Sequence, residues 1–264
     1  MVTAARIRSL KGKRKISMLT AYDYLTARIL EAASIDIILV GDSMGTTVLG
    51  YPTTIPVSMD IMVPHVAAVK RGAPHTMVVA DMPFLSYGLS EEEAIRNAGR
   101  FLKEGNADAI KLEGGREIVP LIEKMVSLGI PVMGHIGLRP QQVLKVGYQI
   151  AGKNDKEIEE LSEDAKILEN AGIFSLVLED TTEEAARLIT DMLSIPTIGI
   201  GAGRYTDGQV LVITDMLGYN PEINYKHNKT YVNLYNTIFN AAVQYKEEVE
   251  KGLFPAEENV FHQK

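Results

Sequence analysis

The chain has 264 residues, of which 46% are hydrophobic and 23% are charged, proportions typical of a globular protein. Its net charge of −7 argues against a general nucleic-acid-binding protein, because affinity for a phosphate backbone requires a basic surface. The absence of cysteine excludes disulfides, thiolate metal sites and thiol nucleophiles. No apolar run has the length of a membrane span, and the basic N-terminus lacks the apolar core of a signal peptide, so we expect a cytoplasmic protein without nucleic-acid or membrane partners.

Short apolar runs alternate with helix-like segments along the chain. The predicted strands are Lys15–Thr20, Ile35–Val40, Thr76–Ala80, Ala109–Leu112, Pro131–Gly134, Phe174–Leu178, Ile195–Ile200 and Gln209–Ile213. The predicted helices are Tyr24–Ala33, Ser58–Lys70, Ser90–Gly105, Gly114–Leu128, Asp155–Ala171, Thr182–Leu193 and, before a polar tail, Lys229–Val249. Two segments rich in Gly, Pro and polar residues, Leu49–Pro56 and Gly137–Gly152, are predicted to be long loops.

This alternation indicates an α/β fold with a parallel sheet. Eight repeats in a chain of this length favour a (β/α)8 TIM barrel over an open doubly wound sheet, with residues 1–264 forming one domain that ends in a helix and a tail. In such a barrel the carboxyl ends of the strands share one face, and that face carries the active site. Residues that are far apart in sequence should therefore meet at one mouth.

Strand after strand ends in a charged or titratable side chain. The residues at these ends are Asp42 and Ser43 within Gly41–Gly45, then Asp81, Glu113, His135 and Glu179. Each of them has an ordinary structural interpretation as a turn residue, a helix cap or an ion-pair partner. Their recurrence at five strand ends favours a functional site instead.

Three carboxylates without a Cys–His cluster suit a hard cation, Mg²⁺ before Zn²⁺. Asp42 and Asp81 are short enough to hold an ion rigidly against the strand ends, and Glu113 reaches it directly or through a water. Because Mg²⁺ takes only one or two direct carboxylates, the substrate and waters are expected to supply further oxygens.

Lys111 stands two positions before Glu113, so both side chains point to the same side of their strand. The lysine is either an ammonium that grips a substrate carboxylate or a Schiff-base amine, and the neighbouring carboxylates favour the protonated form. Glu179 is a candidate general base or a cap of the following helix. His135 either contacts the ligand or has a structural role.

Extended motifs add a resemblance that covers almost the whole chain. They are TAYDY at Thr20–Tyr24, GDSMGTTVLGY at Gly41–Tyr51, KRGAP at Lys70–Pro74, ADMPF at Ala80–Phe84, KLEGG at Lys111–Gly115, GHIGLRPQ at Gly134–Gln141, LVLE at Leu176–Glu179, IGIGAG at Ile198–Gly203, TDGQVLV at Thr206–Val212 and FPAEENVFH at Phe254–His262. The chain resembles the 3-methyl-2-oxobutanoate hydroxymethyltransferase family of pantothenate and coenzyme A biosynthesis. The resemblance implies a (β/α)8 barrel that uses Mg²⁺ and 5,10-methylenetetrahydrofolate to convert 3-methyl-2-oxobutanoate into ketopantoate.

The resemblance also implies residue roles. The metal ligands fall on Asp42, Asp81 and Glu113, the oxoacid contacts on Asp42, Ser43, Asp81 and Lys111, and the proton acceptor on Glu179. Family members are typically homo-oligomers, often decamers. The positions that depart from the family pattern are Pro64, Val146 and Asp180, the last lying beside the proton acceptor.

Two other functions compete with this one. The first is a Mg²⁺-dependent 2-oxoacid enolate lyase or mutase of the phosphoenolpyruvate mutase–isocitrate lyase group, whose catalytic cysteine motif the chain lacks. The second is a barrel that serves only as an assembly scaffold, which predicts no metal-dependent ligand binding.

Overall fold

Eight parallel strands form a closed barrel in which each strand pairs with the next along the chain and the last pairs with the first. They are β1 (Ile16–Thr20), β2 (Ile37–Val40), β3 (Met77–Asp81), β4 (Ala109–Glu113), β5 (Val132–Gly137), β6 (Ser175–Glu179), β7 (Thr197–Ile200) and β8 (Gly208–Leu211). This topology, seen in a computed structural model, confirms the predicted (β/α)8 barrel.

The structure describes residues 2–222 and 225–263. The ends of the predicted 1–264 domain therefore lie outside the described residues. The chain divides into two compact units, with the boundary between Val212 and Ile213. The single-domain organisation stays a prediction.

One short helix precedes the first strand, and the other helices lie between or after the strands. They are α1 (Ala4–Arg8), α2 (Tyr24–Ala32), α3 (Met44–Thr47), α4 (Met59–Gly72), α5 (Glu91–Lys103), α6 (Val119–Ser127), α7 (Val143–Val146), α8 (Asp155–Asn170), α9 (Glu183–Met192), α10 (Ile213–Met216) and α11 (Leu234–Glu250). Several begin at a polar side chain that accepts a hydrogen bond from a backbone N–H three residues on, as at Ser58, Ser90 and Asn154. Such caps satisfy a donor that the helix leaves free, and they explain why the predicted starts were close.

Three predicted segments differ clearly from the structure. Strand β8 ends at Leu211 because Ile213 already begins α10. The last helix begins at Leu234, where the Asn233 side chain accepts from the Asn236 N–H. Pro64, in contrast, lies within the helix predicted over Ser58–Lys70, because α4 begins at Met59, five residues before the proline. The segment predicted as a loop over 137–152 contains a 3₁₀ turn, Pro140–Gln142, followed by α7.

The inside of the barrel is apolar at the amino ends of the strands. Ile16, Ile37 and Met77, the first residues of their strands, belong to one buried cluster that also includes Ile7 of α1. Farther along the strands, polar side chains replace this cluster. Apolar side chains therefore fill the barrel at the amino ends of the strands, and charged side chains lie at the carboxyl ends.

The second unit consists of α10, α11 and the segments around them. No residue of α11 is buried, and the helix exposes several large apolar side chains, among them Tyr235, Phe239 and Tyr245. Within residues 2–222 and 225–263, no helix has both the length and the apolar character needed to cross a membrane.

Candidate active site

The predicted strand-end residues converge at the carboxyl end of the barrel. Asp81, Lys111 and Glu113 lie on the inward faces of β3 and β4, two or four positions beyond buried core residues such as Val79 and Ala109. His135 on β5 is paired in register with Glu113. Because the barrel is parallel and closed, this alternation brings all of these side chains to one mouth.

A buried ion pair forms the centre of the site. The Lys111 Nζ lies 2.7 Å from the Asp81 Oδ1, and both side chains are at most 5% exposed. The same Nζ lies 3.1 Å from the His135 Nδ1. Lys111 and Glu113 are both buried in β4, two positions apart, and this spacing predicts that they point to the same side of the strand.

The turn after β2 adds Asp42 and Ser43. The Asp42 N–H donates to the Asp81 Oδ2 at 3.2 Å, and the Tyr22 hydroxyl lies 2.9 Å from the Ser43 Oγ. A Cβ on Gly41 would stand 2.7 Å from the Ser43 Oγ, so a larger residue there would displace the serine. The turn is therefore an ordered part of the site rather than only the end of a strand.

Glu113 is buried and its backbone is fixed by a tyrosine. The Tyr87 hydroxyl is 3.2 Å from both the Glu113 N and the Glu113 O. One carboxylate oxygen, Oε2, accepts a hydrogen bond from the Gln141 N–H at 3.2 Å. The other, Oε1, lies 3.6 Å from the His135 Nδ1.

His135 is a buried, neutral imidazole between two acids. Burial and the neighbouring Lys111 charge hold its pKa well below the usual range. Since the Lys111 ammonium can only donate, the His135 Nδ1 must accept from it, and the ring proton is assigned to Nε2. That atom faces the Glu179 Oε2 at 3.2 Å. Glu179 is the most accessible acid of the group, with 21% of its side chain exposed.

The site contains more acidic than basic side chains. Burial, together with the Asp81 charge, raises the pKa of Asp42 to about 7. Burial also raises the pKa of Glu113. Burial alone would lower the pKa of Lys111, but Asp81, Glu113 and Asp42 outweigh it and raise that pKa, so the lysine is protonated. This charge state fits an ammonium that binds an anion and disfavours a Schiff-base amine.

A cavity of about 90 Å³ lies among these side chains. Asp42, Asp81, Lys111, Glu113 and Glu179 line it on one side, and apolar residues of β7 and β8 complete its wall. Within the described ranges, no three His, Asp or Glu side chains stand in a geometry ready to bind a metal. Asp81 instead faces Lys111, and Asp42 accepts a hydrogen bond from Gln141. The assignment of metal ligands stays a prediction.

Sequence reasoning missed three side chains of the site. Tyr22 contacts Ser43, Tyr87 contacts Glu113, and Gln141 contacts Asp42. Gln141 comes from the segment predicted to be a loop and is only 5% exposed. Tyr22 and Gln141 lie within the motifs TAYDY and GHIGLRPQ. Membership of these motifs could have indicated both residues, whereas the search for polar residues at strand ends could not.

Comparison with known sequences gives consistent matches over the whole chain. A family model described as ketopantoate hydroxymethyltransferase matches residues 1–257. A 3-methyl-2-oxobutanoate hydroxymethyltransferase of Kosmotoga olearia is 57% identical over 252 residues, which cover 95% of this chain and 94% of the relative. Another, from Thermotoga neapolitana, is 56% identical over 260 residues, covering 98% and 96%.

Solved structures show the same fold at low identity. Phosphoenolpyruvate phosphomutase from Streptomyces platensis subsp. rosaceus matches with a TM-score of 0.64 and 14% identity, over 95% of this chain and 88% of that chain. A 2,3-dimethylmalate lyase of the PEP mutase/isocitrate lyase superfamily matches with a TM-score of 0.61 and 16% identity, over 99% and 92%. At such identities the likeness concerns the fold alone.

Proposed function

Because the chain belongs to the ketopantoate hydroxymethyltransferase family, we propose that its barrel mouth transfers a hydroxymethyl group to 3-methyl-2-oxobutanoate and forms ketopantoate for pantothenate and coenzyme A biosynthesis. The observation that carries the proposal is the match along residues 1–257, with relatives of that activity more than 50% identical. We further propose 5,10-methylenetetrahydrofolate as the donor, a cytoplasmic location and a homo-oligomer such as a decamer.

The oxoacid is an anion with a keto group beside its carboxylate. The Lys111 ammonium, held protonated by its acidic neighbours, supplies the positive charge for that carboxylate. The Ser43 Oγ stands at the edge of the same cavity and supplies a hydroxyl donor. These two groups orient the substrate, with its C3 atom directed towards the remaining acid, Glu179.

The donor set fits Mg²⁺ because the acids outnumber the lysine. Asp42, Asp81 and Glu113 are each at most 5% exposed, and burial, together with the neighbouring acids, raises the pKa values of Asp42 and Glu113. These three residues would hold the cation. When bound, Mg²⁺ supplies electrostatic stabilisation of the negative charge that develops on the keto oxygen.

Glu179 is proposed as the base that removes the C3 proton. Its carboxylate borders the cavity from a different strand than Asp81 and Glu113. The His135 Nε2 lies 3.2 Å from the Glu179 Oε2, so a neutral imidazole stands beside the carboxylate that is proposed to take the proton. Loss of that proton makes C3 nucleophilic towards the one-carbon unit.

The direct test of the activity is a product assay. The protein is incubated with 3-methyl-2-oxobutanoate, methylenetetrahydrofolate and Mg²⁺, with and without a chelator, while ketopantoate is measured. We expect product only without the chelator. Absence of product under both conditions would contradict the proposed function.

The variant Glu179→Gln tests the base. We expect it to bind the oxoacid normally but to lose exchange of the C3 proton into deuterated water, measured by NMR without folate. General bases typically contribute about 10²–10⁴-fold, and turnover should fall by a similar factor. The matched control is Asp180→Asn, which changes the adjacent acid.

Three outcomes of this test are distinct. A loss of exchange well under tenfold would remove Glu179 from the role of base and make His135 the next candidate. A loss of oxoacid binding would assign Glu179 to substrate binding. An equal loss in Asp180→Asn would indicate that the local charge matters rather than the position of one carboxylate.

A further inference from the structure

Gln141 contacts two of the three acids proposed to hold the metal. We propose that it is a positioning residue that fixes which oxygens of Asp42 and Glu113 face the cavity, and that it thereby sets the affinity of the site for Mg²⁺. The inference rests on the proposed function, because it concerns the cation that this function requires.

The side-chain amide of Gln141 uses all of its hydrogen-bonding groups. Its Nε2 donates to the Asp42 Oδ2 and to the Met82 carbonyl oxygen, each at 2.9 Å. Its Oε1 accepts from the Tyr87 hydroxyl at 2.8 Å. A rotation of the amide by half a turn would place Oε1 against a carboxylate and a carbonyl. The network therefore permits one orientation.

The backbone of Gln141 contacts the second acid. Its N–H donates to the Glu113 Oε2 at 3.2 Å. One residue, from the connection after β5, thus joins the turn after β2 to the end of β4. Pro140, the first residue of the same 3₁₀ turn, lines the cavity.

These contacts give the two carboxylate oxygens of each acid different roles. Gln141 engages the Oδ2 of Asp42 and the Oε2 of Glu113, and the opposite oxygens are left for a cation, its waters and the substrate. An amide does this without adding charge. A lysine in its place would neutralise the cluster, and a glutamate would add a further buried acid.

The main test replaces Gln141 by methionine, which keeps the volume and removes the amide. Mg²⁺ binding to the full-length protein without substrates is measured by calorimetry. Loss of an outer hydrogen bond to a metal ligand typically costs about 10–100-fold in affinity, and we expect a loss in that range. The matched control is Gln142→Ala in the same turn, which should bind Mg²⁺ as the wild type does.

A second variant covers the case in which Gln141→Met does not fold. Tyr87→Phe leaves both donors of Gln141 in place and removes the hydroxyl that holds its Oε1. We expect Tyr87→Phe to weaken Mg²⁺ binding by a smaller factor than Gln141→Met. Wild-type Mg²⁺ affinity in any folded Gln141→Met protein, or in Tyr87→Phe when the first variant is unfolded, overturns the proposal.

Kinetics separate positioning from general structural damage. A positioning role predicts a raised apparent KM for Mg²⁺ and an unchanged KM for the oxoacid at saturating Mg²⁺, whereas a distorted pocket would raise both and overturn the proposal. Wild-type ketopantoate formation, measured in parallel, separates the two hypotheses. If the wild type forms ketopantoate and Gln141→Met binds Mg²⁺ as tightly as the wild type does, only the proposed role of Gln141 is overturned. No product from the wild type overturns the proposed function itself.

Discussion

Two buried lysine–aspartate pairs lie at different places in the barrel unit. Lys70 Nζ and Asp108 Oδ2 are 2.6 Å apart, and Lys111 Nζ and Asp81 Oδ1 are 2.7 Å apart. All four side chains are at most 9% exposed. By distance and burial alone, the two pairs would be judged equivalent.

Their surroundings are different. The Asp108 Oδ2 also accepts from the Val78 N–H at 2.8 Å, and the Lys70 Nζ donates to the Thr76 carbonyl, so this pair ties α4 to the start of β3. Its charges are balanced one to one. Asp81 and Lys111, in contrast, share a cavity with further acids. The comparison teaches that surplus charge beside a cavity, rather than a buried pair as such, identifies a site.

The largest expected effect is a loss of ligand binding when the Lys111–Asp81 pair, rather than the Lys70–Asp108 pair, is broken. We expect Asp81→Ala to abolish Mg²⁺-dependent binding of 3-methyl-2-oxobutanoate while the protein stays folded, because Asp42 and Glu113 still face Lys111. Calorimetry with the oxoacid, with and without Mg²⁺, measures the effect, and circular dichroism checks the fold. A folded variant with unchanged Mg²⁺ dependence would remove Asp81 from the metal site.

The second prediction concerns stability. Lys70→Met leaves the Asp108 carboxylate buried without its ammonium, and breaking a buried pair in this way typically costs about 3–5 kcal/mol. Urea unfolding should show a loss of that size, whereas the turnover of the remaining folded molecules should be that of the wild type. Reduced turnover per folded molecule would indicate that this pair also serves the site.

The third prediction is a pH dependence of stability that arises from the acids at the mouth. In the folded protein the pKa of Asp42 is raised from 3.8 to about 7. Between these values the folded state holds a proton that the unfolded state has lost, so the stability of the metal-free protein should fall as the pH rises from about 4 to about 7. Thermal unfolding across this range measures the slope.

The control for this prediction is Asp42→Asn, which should reduce the slope, as should saturating Mg²⁺, while Glu113, whose pKa is also raised, keeps a part of it. The variant Lys70→Met lies outside the cluster and leaves the Asp108 carboxylate buried without its ammonium, so it should not flatten the slope. A slope that Asp42→Asn leaves unchanged would show that another group takes up the proton.

Much of the fold was predictable because strand ends carry a local signal. A buried strand is a continuous apolar run, and its end is marked by the first polar side chain, as Asp81 marks the end of β3. The errors arose where a helix begins at the end of a loop or strand. An apolar residue such as Ile213 suits a strand as well as a helix, and no periodicity in the sequence shows where β8 ends and α10 begins.

The site was predictable only in part, for a related reason. An acid at the end of a strand can be recognised in a single sequence, because it directly follows an apolar run. Gln141 follows no such rule, because a 3₁₀ turn within an irregular segment brings it to Asp42, 99 residues away. Tyr87 likewise reaches Glu113 from the connection after β3. Contacts of this kind depend on how a loop folds back, which local patterns do not encode.

The closure of the barrel by β1 and β8 affects the course of folding. Neighbouring strands pair over short sequence distances, whereas β1 and β8 must meet from almost opposite ends of the first unit. Long loops of this kind are costly in entropy, which favours late closure. Closure also completes the wall of the cavity with Val210 of β8, beside Asp42, Asp81 and Glu113. We therefore expect protons or a cation at the mouth to favour the closed barrel, because they offset the repulsion among these buried acids.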